Sequence, residues 1–313
     1  MIEEPVKYIT KVEISGLWGR YDIGWNLHPD VNVLAGINGS GKTTILKLLS
    51  LTSSELDSKV TGILKLTFNN NQIFQQTPIP ATIQKESISN SGKRQVSVDF
   101  AFKILLAPYE ATFINTFDTE LKPSEAVQKL SDDRVKSELD WELYQLQEKY
   151  KDYQINIARK KETVFKDNRG NPFYDNVVIE FRRLSYPQER LLEIIDELFL
   201  ETGKKVNRDK NELEFLLGDK EINAYQLSSG EKQLLVILLT VLVQDNKPAI
   251  LLMDEPEISL HIEWQRKLIK YVRELNPNVQ LIIATHSPDI IIKGWLDKVA
   301  NIEDIIVKDN AVA

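Results

Sequence analysis

The stretch Gly36-Ile37-Asn38-Gly39-Ser40-Gly41-Lys42-Thr43 fits the pattern G-x-x-x-x-G-K-[ST] and decides the fold class of this chain. It follows a short apolar run at residues 31–34, which predicts a strand, and it precedes a predicted helix at residues 42–50. Glycines in such a loop let backbone N–H groups face phosphate oxygens, and the positive end of the following helix points at the same place. The stretch therefore predicts a nucleotide-binding loop.

The residue types in this loop predict distinct contacts with a bound nucleotide. The Lys42 ammonium is expected to reach the β- and γ-phosphates as a point charge, and the Thr43 hydroxyl is expected to ligate Mg²⁺. Side chains in place of the glycines would block the approach of the phosphates. The residues of this loop expected to bind the nucleotide are Gly36, Asn38, Gly39, Ser40, Gly41, Lys42, Thr43 and Thr44.

A second group of candidate residues lies at the end of an apolar run at residues 249–253, which predicts a buried strand. Asp254 and Glu255 follow it directly, at the carboxyl edge where open α/β sheets hold ligands. Asp254 is expected to hold Mg²⁺ through its water shell, and Glu255 is expected to polarise the water that attacks the γ-phosphate. The structural alternative is a simple turn at Asp254-Glu255-Pro256.

The stretch Leu227-Ser228-Ser229-Gly230-Glu231-Lys232-Gln233 precedes a strongly apolar helix. Taken alone, Ser228 and Glu231 form a capping box, which would suffice for an isolated helix. A helix start that favours a carboxylate also favours a phosphate, so the same residues suit a phosphate site.

Together with the acidic strand end, this stretch resembles the L-S-G-G-Q signature of ABC-type ATPases, including their SMC, RecF and OLD branches. The resemblance implies ATP and Mg²⁺ as ligands. It also implies that Ser228, Ser229 and Gly230 of one subunit complete the γ-phosphate site of another. Ser229 stands where the family usually has its first glycine, and Glu231 stands where transporters have glutamine. The glutamate is more similar to the SMC and repair-type branch.

Two further strings extend this resemblance. Glu257-Ile258-Ser259-Leu260-His261 follows the acidic strand as the D-loop does, and the pattern Glu-Pro-Glu-x-x-Leu-His resembles OLD-like defence and repair ATPases more than transporters. Ala284-Thr285-His286-Ser287-Pro288 ends the next predicted strand as the switch histidine does. The resemblance implies Glu255, Lys42 and His286 as catalytic residues, although Ser287 before Pro288 also suits a plain helix start.

The fold expected from these motifs is an α/β P-loop NTPase of the ABC-ATPase head type with an inserted α+β and helical region. Residues 1–70 and 219–313 are expected to form a discontinuous nucleotide-binding core around a lid region at 71–218. The middle of the chain predicts antiparallel sheet at 60–102 and one or two amphipathic helices at 124–161. It also predicts a strand at 177–184 and a helix at 187–200.

Composition and charge exclude several classes of protein. With 42% hydrophobic and 27% charged residues the chain is typical of globular proteins, and the absence of cysteine excludes disulfides and cysteine-ligated metals. The longest apolar run, residues 234–243, is too short to cross a bilayer, so a cytoplasmic location without a membrane partner is expected. The net charge of −7 limits nucleic-acid binding to local basic clusters at residues 159–161, 182–183 and 204–210.

The functional hypothesis is an ATP-gated homodimer that regulates a separate effector, most simply a nuclease, in phage defence or DNA transactions, with DNA as a candidate partner. It rests on the OLD-like string and on a middle region too short for SMC arms. It also rests on the expectation that the residues after His286 leave no room for the Toprim nuclease domain of OLD proteins.

Two alternatives stay open. One is the energising subunit of a membrane transporter, which the signature at about 185 residues beyond Lys42 disfavours because the insertion is large. The other is a nucleotide-dependent binding module with negligible turnover.

Two local assignments also stay open. The glutamine loop of the family could be provided by any of Gln75, Gln76, Gln84 and Gln95. The second assignment concerns Trp18, Arg20 and Tyr21, which follow the first predicted strand and could stack on adenine or pack into the core.

Overall fold

The computed structural model describes residues 4–50, 62–76, 85–88, 94–97, 111–115, 134–168, 174–291 and 294–309. The chain divides into two compact units. Unit 1 comprises residues 1–115, 248–255 and 280–313, and unit 2 comprises residues 116–247 and 256–279.

Unit 1 is built mainly from β-strands. Its strands are β1 (Ile9–Leu17), β2 (Tyr21–Asn26), β3 (Val31–Ala35), β4 (Ile63–Phe68), β5 (Ile73–Gln76), β6 (Lys85–Ile88), β7 (Arg94–Ser97), β8 (Ala111–Asn115), β12 (Ala249–Asp254), β13 (Val279–Thr285), β14 (Val299–Asn301) and β15 (Ile306–Asp309). Its helices within the described residues are α1 (Lys42–Ser50), α6 (Pro288–Ile291) and α7 (Ile302–Ile305).

One sheet of unit 1 is antiparallel, with five strands in the order β15-β2-β1-β4-β5. In its central strand β1, the side chains of Val12, Ile14 and Leu17 are buried, and Val12 lies opposite Trp25 on β2 and Leu66 on β4. Buried and less buried positions alternate through the middle of the strand, which is typical of a sheet with one face on the core. The hairpins β4–β5 and β6–β7 confirm the described part of the antiparallel sheet predicted at 60–102.

The second sheet of unit 1 places the predicted site residues. Its five strands follow the order β14-β3-β13-β12-β8, and β3 runs parallel to both β13 and β14, as β8 does to β12. All seven residues of β13 are buried, as expected for a strand covered on both faces. Because β3 and β13 are parallel neighbours, the segments that follow them leave the sheet at the same edge.

The core of unit 1 is shared by both sheets and by α1. The α1 side chains of Ile45, Leu46 and Leu49 are fully buried in one cluster with apolar residues of β1, β4, β12 and β13. Each such leucine or isoleucine stabilises the fold by about 1.5–3 kcal/mol relative to an exposed side chain. The packing of α1 therefore fixes the helix start that follows the phosphate loop.

Unit 2 is mainly helical. It contains the strands β9 (Lys204–Val206), β10 (Glu214–Leu217) and β11 (Lys220–Asn223), which pair in the order β11-β10-β9. The helices in the part of this unit that the structure describes are α2 (Glu138–Asp167), α3 (Tyr174–Leu198), α4 (Ser229–Leu242) and α5 (Ile262–Leu275). Helix α2 packs on α3 and α4, and α4 packs on α5. Helix α4 is buried on nearly all sides, which explains its unbroken apolar sequence.

One predicted element of unit 2 is wrong. Residues 177–184 were expected to form a strand, but they are the first part of helix α3, and the helix expected at 187–200 is its second part. Val177 is buried while the next two residues, Val178 and Ile179, are exposed, which fits a helix face rather than an alternating strand. The burial of Leu191 and Leu198 in this long helix outweighs the β-propensity of residues 177–179. The helix also contains Pro187.

The structure also adds elements that the sequence patterns did not predict. Strand β8, in the expected insert, forms the edge of the parallel sheet beside β12. Residues 71–115 thus belong to unit 1 and the signature helix α4 belongs to unit 2, so these units follow different boundaries from the expected core and lid. The functional division at 70/71 and 218/219 stays a prediction. In the described part of the chain, no helix is long and apolar enough to span a membrane.

Candidate nucleotide site

The predicted phosphate loop joins β3 to α1, and its three glycines all have positive φ angles. At Gly41, φ is 102°, and a Cβ built on the backbone would lie 2.2 Å from a ring atom of Trp18. A larger residue at this position would have to adopt a left-handed backbone and also displace the indole ring. The backbone conformation at position 41 therefore favours glycine, and any other residue there would also require the Trp18 ring to move.

The Lys42 side chain folds back into the loop. Its Nζ donates hydrogen bonds to the carbonyl oxygens of Gly36, at 3.0 Å, and Ile37, at 3.2 Å. Nζ also lies 2.7 Å from Nε2 of His286, and the residue is only 4% exposed. The predicted phosphate-binding lysine thus lies at the centre of the loop.

The acidic strand end meets the loop at the first turn of α1. The Thr43 hydroxyl donates to Oδ1 of Asp254 at 3.1 Å, and Asp254 is 2% exposed. Burial raises the pKa of the Asp254 carboxyl, and the negative charge of Glu255 raises it further, whereas the hydrogen bond from Thr43 and the charge of Lys42 oppose the shift. A cation bound here would relieve this unfavourable burial of negative charge.

Glu255 has an unusual backbone conformation. Its φ is 47°, in the left-handed region that glutamate seldom adopts, and its N–H donates to the carbonyl oxygen of Ala284 at 2.8 Å. Such a conformation costs on the order of 1 kcal/mol and concentrates at functional sites. It turns the chain sharply after β12 and directs Oε1 of Glu255 to within 3.0 Å of Nε2 of His286.

One ring nitrogen therefore joins the three predicted catalytic residues. Nε2 of His286 lies near both the ammonium of Lys42 and the carboxylate of Glu255. In a given protonation state this atom can either accept a hydrogen bond from Lys42 or donate one to Glu255. His286 therefore lies between a cationic and an anionic side chain.

A buried hydroxyl in the loop suits a phosphate oxygen. Within the described residues, the Ser40 Oγ atom is buried and makes no hydrogen bond, which is uncommon for a buried hydroxyl. Ser40 belongs to the loop whose backbone N–H groups are expected to contact phosphate. An anionic oxygen would satisfy it, so the loop fits the ligand that the motif implies.

The site also fits Mg²⁺. The oxygen atoms of Thr43 and Asp254 lie side by side, and Mg²⁺ in nucleotide sites is commonly held by one or two protein oxygens together with phosphates and water. Among the described residues, no group of three or more histidine, cysteine, aspartate or glutamate side chains is arranged so that it could hold a metal ion. A dedicated all-protein metal cage is therefore not seen in that part of the chain.

The surroundings differ among Trp18, Arg20 and Tyr21, the residues near the end of β1 that were considered for adenine stacking. Trp18 lies over Gly41 and is 37% exposed, and its ring meets that of Tyr21 edge-on at 6.3 Å. Tyr21 packs against the core, and the guanidinium of Arg20 lies 4.5 Å from its ring centre and pairs with Asp309. Of the three, only Trp18 combines exposure with contact to the loop. Stacking on adenine stays a prediction for this residue.

In unit 2, the signature stretch forms the predicted capping box at the start of α4. Ser228 is the N-cap, and its N–H and hydroxyl both donate to Oε2 of Glu231 at 2.9 Å. Oε1 of Glu231 accepts from Nζ of Lys204, on β9, at 2.7 Å. Burial favours the neutral acid, but the hydrogen bonds from Lys204 and Ser228 outweigh it and hold the pKa of Glu231 below its usual value.

The glycine of the signature is required by its neighbour in the predicted D-loop. A Cβ built on Gly230 would lie 2.1 Å from the carbonyl oxygen of Ser259. Nε2 of Gln265, on α5, donates to the carbonyls of Glu257 and Leu260, at 3.3 and 2.8 Å, and so fixes the same segment. Sequence reasoning missed Gln265, because nothing in its local pattern separates it from an ordinary surface glutamine.

One histidine and one serine of the sequence motifs also cap helices. His261 is the N-cap of α5, and its Nδ1 accepts from the N–H of Glu263 at 3.4 Å. Ser287 accepts from the N–H of Asp289 at 3.2 Å, which confirms the helix start predicted before Pro288.

The other open assignments concern the glutamines and the basic clusters. Gln75 and Gln76 lie on β5, Gln95 lies on β7, and Gln84 lies outside the described residues, so the glutamine loop stays unassigned. In the basic clusters, several cations are ion-paired within unit 2. These pairs are Lys160 with Asp245, Arg183 with Glu180, Lys204 with Glu231, and Arg208 with Asp196. A DNA-binding role for the clusters stays a prediction.

Comparison with known proteins gives relatives over most of the chain. The Septu protein PtuA of Bacillus thuringiensis is 23% identical over 313 residues, which cover 90% of this chain and 72% of the relative. The Retron Vc95 probable ATPase of Vibrio cholerae serotype O1 biovar El Tor is 22% identical, over 84% of this chain and 66% of the relative. A shorter match, at 31% identity over 38% of this chain and 42% of the relative, is with the phosphate import ATP-binding protein PstB 2 of Streptococcus agalactiae serotype III (strain NEM316).

Solved structures are similar at lower sequence identity. The SMC head bound to the C-winged helix domain of ScpA has a TM-score of 0.47 at 15% identity and covers 91% of both chains. The recombination mediator protein RecF in complex with ATPrS has a TM-score of 0.46 at 12% identity, over 99% of this chain and 100% of that chain.

A family model described as "AAA domain, putative AbiEii toxin, Type IV TA system" matches residues 31–292, which include the phosphate loop, the signature, the acidic strand end and His286. Because this match covers more than half of the sequence, the chain belongs to that AAA-domain family and is an ATPase of the AAA/ABC type.

Proposed function

We propose that this ATPase binds Mg-ATP at its phosphate loop and hydrolyses it as an ATP-sandwiched homodimer that regulates a separate effector protein. The observation that carries the proposal is the meeting of Lys42 and Glu255 at one nitrogen of His286. Thr43 follows Lys42 at the start of α1, and Asp254 precedes Glu255 at the end of β12, so the Thr43–Asp254 pair lies next to these residues. This arrangement supplies a cation for the phosphates, a base for water and oxygen ligands for Mg²⁺.

Each residue has a separate role in the proposed reaction. The Lys42 ammonium and the Ser40 hydroxyl would bind the phosphates, while Thr43 and Asp254 would hold Mg²⁺, which neutralises phosphate charge when bound. Glu255 would take a proton from the attacking water. His286 would hold the Glu255 carboxylate in position and then donate to the γ-phosphate.

The homodimer is proposed from the signature stretch at the start of α4. Ser228, Ser229 and Gly230 lie at a helix N-terminus, where backbone N–H groups and the helix dipole favour an anion. In the proposed dimer, these residues of one copy receive the γ-phosphate bound by Lys42 of the other copy. Two copies would then enclose two ATP molecules.

The effector is proposed to be a nuclease, and the setting is proposed to be phage defence. The likeness to the Septu protein PtuA and to the Retron Vc95 probable ATPase over most of the chain supports this choice over a transporter subunit. The chain spans about two thirds to three quarters of these relatives, so the activity of a whole relative is not transferred here.

The test of the dimer uses Glu255→Gln, which should block hydrolysis while leaving ATP binding intact. Light scattering should show a dimer of this variant with Mg-ATP and a monomer without nucleotide, and Lys42→Ala should stay monomeric in both conditions. A Glu255→Gln variant that binds ATP and remains monomeric at all concentrations would contradict the proposed composite site.

The test of the effector uses co-purification of the native protein with proteins encoded by adjacent genes, followed by a DNA-cleavage assay with and without ATP. Cleavage should require the partner and change with nucleotide. Cleavage of DNA by the purified chain alone, with Mg²⁺, would refute the separate effector.

A further inference from the structure

The start of the signature helix carries a buried negative charge. The Glu231 side chain is 2% exposed, and its two oxygens accept hydrogen bonds from Ser228, at 2.9 Å, and Lys204, at 2.7 Å. The Lys204 side chain is itself only 17% exposed, and Thr202 Oγ1 lies 3.2 Å from the same Glu231 oxygen. Lys204 is thus the cation that neutralises Glu231 at this helix start.

The negative charge of Glu231 lies where it would affect a phosphate bound at Ser228. Glu231 is in the first turn of α4, and its Oε2 atom binds the hydroxyl and the N–H of Ser228. A phosphate that approaches Ser228 would meet this carboxylate at close range. Unneutralised, a buried carboxylate repels a phosphate strongly, because the interior screens charge poorly. A neutral Glu231–Lys204 pair removes the repulsion and still fixes the Ser228 side chain.

We propose that Lys204 is a positioning residue for the ATPase, which acts through Glu231 to keep the Ser228–Gly230 segment electrically neutral and able to receive the phosphates of ATP bound to a second copy. This inference rests on the proposed homodimer. It gives strand β9, which carries none of the nucleotide-binding motifs, a defined part in dimer formation.

The role predicts which substitutions damage the dimer and which restore it. Lys204→Met keeps the aliphatic volume and leaves the Glu231 charge buried beside Ser228, so ATP-driven dimerisation should weaken on the order of tenfold or more. Adding Glu231→Gln removes that charge and keeps a hydrogen-bonding side chain of nearly the same shape. The double variant should therefore dimerise within about threefold of its parent.

The chain offers two matched controls. Lys205, the next residue on β9, is exposed, so Lys205→Met should change neither dimerisation nor stability. Lys232 is in a comparable buried pair on the same helix, 2.7 Å from Asp140 of α2, with side chains 13% and 5% exposed. Lys232→Met should lower thermal stability as Lys204→Met does, while leaving the ATP-dependent association less affected.

The experiment measures the dimer dissociation constant with Mg-ATP for all variants in a Glu255→Gln background. Fluorescent-ATP affinity at protein concentrations below dimerisation, and thermal unfolding, are measured in parallel. The proposal expects Lys204→Met to bind nucleotide normally, to dimerise poorly and to recover with Glu231→Gln. Lys204→Met that dimerises like its parent, or a double variant that remains as defective as the single one, would overturn the role of Lys204.

Failure of the proposed function has a different signature. In that case the Glu255→Gln parent itself would bind ATP without dimerising, and the role of Lys204 would be rejected together with the homodimer. If Lys232→Met weakens dimerisation as much as Lys204→Met, the pair acts only through stability and the inference is refuted.

Discussion

At the residue scale, Lys42 combines two roles that are often separate. Its ammonium binds the loop carbonyls of Gly36 and Ile37 and also approaches His286, so the same charge that is proposed to bind phosphate holds the loop together. Lysine suits this position because its compact ammonium group carries three donors and rotates at the end of a flexible side chain. The loop and the proposed catalytic base, Glu255, are therefore connected through the side chains of Lys42 and His286.

Removing this charge tests the phosphate loop. Lys42→Ala should weaken ATP binding by about 100-fold, because a charge-assisted contact to phosphate is lost in a site of low exposure. Titration with fluorescent ATP measures the affinity, and thermal unfolding checks that the protein is folded. Lys11→Ala, which removes an exposed lysine paired with Glu13, is the control and should bind ATP normally. Normal affinity in folded Lys42→Ala would contradict the assignment.

A second residue-scale prediction concerns Glu142 on α2. Burial raises the pKa of this carboxyl from 4.5 to about 7, and the charge of Lys149 opposes the shift only in part. Because the folded state holds the proton more tightly, the group does not oppose folding below about pH 4.5. It increasingly favours the unfolded state as the pH rises to about 7.

Glu142→Gln should therefore stabilise the protein at pH 8, by about 1–3 kcal/mol, and should have little effect near pH 4.5. Urea unfolding of both proteins across this pH range gives the difference in free energy of unfolding. Glu148→Gln removes an exposed carboxylate on the same helix, so it serves as the comparison and should show no such rise. A constant difference between Glu142→Gln and the native chain at all pH values would refute the shift.

At the element scale, the capping box at the start of α4 both caps the helix and links it to a neighbouring strand. Ser228 and Glu231 satisfy backbone groups at the helix N-terminus, and Lys204 then compensates the charge of the capping glutamate. Helix α2 is built in a similar way: its capping box uses Ser137 and Asp140, and Asp140 pairs with Lys232 of α4. Both capping acids are thus tied to neighbouring elements of unit 2.

The close approach of α4 to residues 257–260 gives a prediction for this element. Gly230→Ala would place a methyl group 2.1 Å from the Ser259 carbonyl, so the helix start or the loop must move. The expected cost is about 2–4 kcal/mol in the free energy of unfolding, with loss of ATP-driven dimerisation.

Gly218→Ala is the matched control for this substitution. Gly218 has φ of 59° and open space around a built Cβ, so the cost there should be only about 1 kcal/mol from backbone strain, and dimerisation should persist. Thermal unfolding and light scattering with Mg-ATP distinguish the two. Equal stability of both variants would mean that residues 257–260 move at little cost in free energy and that glycine is not required at position 230.

At the scale of the whole molecule, the proposed site needs two chains, which predicts complementation between inactive variants. Lys42→Ala and Ser228→Ala should each lose most ATP hydrolysis as pure proteins. A heterodimer of the two variants has one intact composite site, which combines Lys42 of the Ser228→Ala chain with Ser228 of the Lys42→Ala chain. The mixture should therefore hydrolyse ATP faster than the sum of the two variants alone, up to about a quarter of the native rate if the chains pair at random.

The measurement is steady-state phosphate release from the mixture and from each variant alone. The double variant Lys42→Ala/Ser228→Ala mixed with either single variant is the control, because no intact site can form. A mixture that stays at the sum of its two components would show that both residues act within the same chain, or that Ser228 has no part in hydrolysis.

The amino-acid sequence alone was enough to identify the motifs and the type of fold. A glycine-rich loop between strand and helix, unbroken apolar runs for buried parallel strands, and the capping box at Ser228 are local patterns, so they could be predicted without a structure. The prediction of a strand at 177–184 failed because Val177, Val178 and Ile179 have high β-propensity, while the long helix around them is decided by packing.

Only the tertiary structure decided which distant residues meet. The contact of His286 with both Lys42 and Glu255 depends on the order of β3, β13 and β12 in the sheet. The Lys204–Glu231 pair depends on β9 lying beside α4, although the two partners are 27 positions apart in the sequence. Local sequence fixes backbone preferences and apolar periodicity, whereas charge neutralisation and hydrogen bonding in a buried site depend on which elements the folded core brings together.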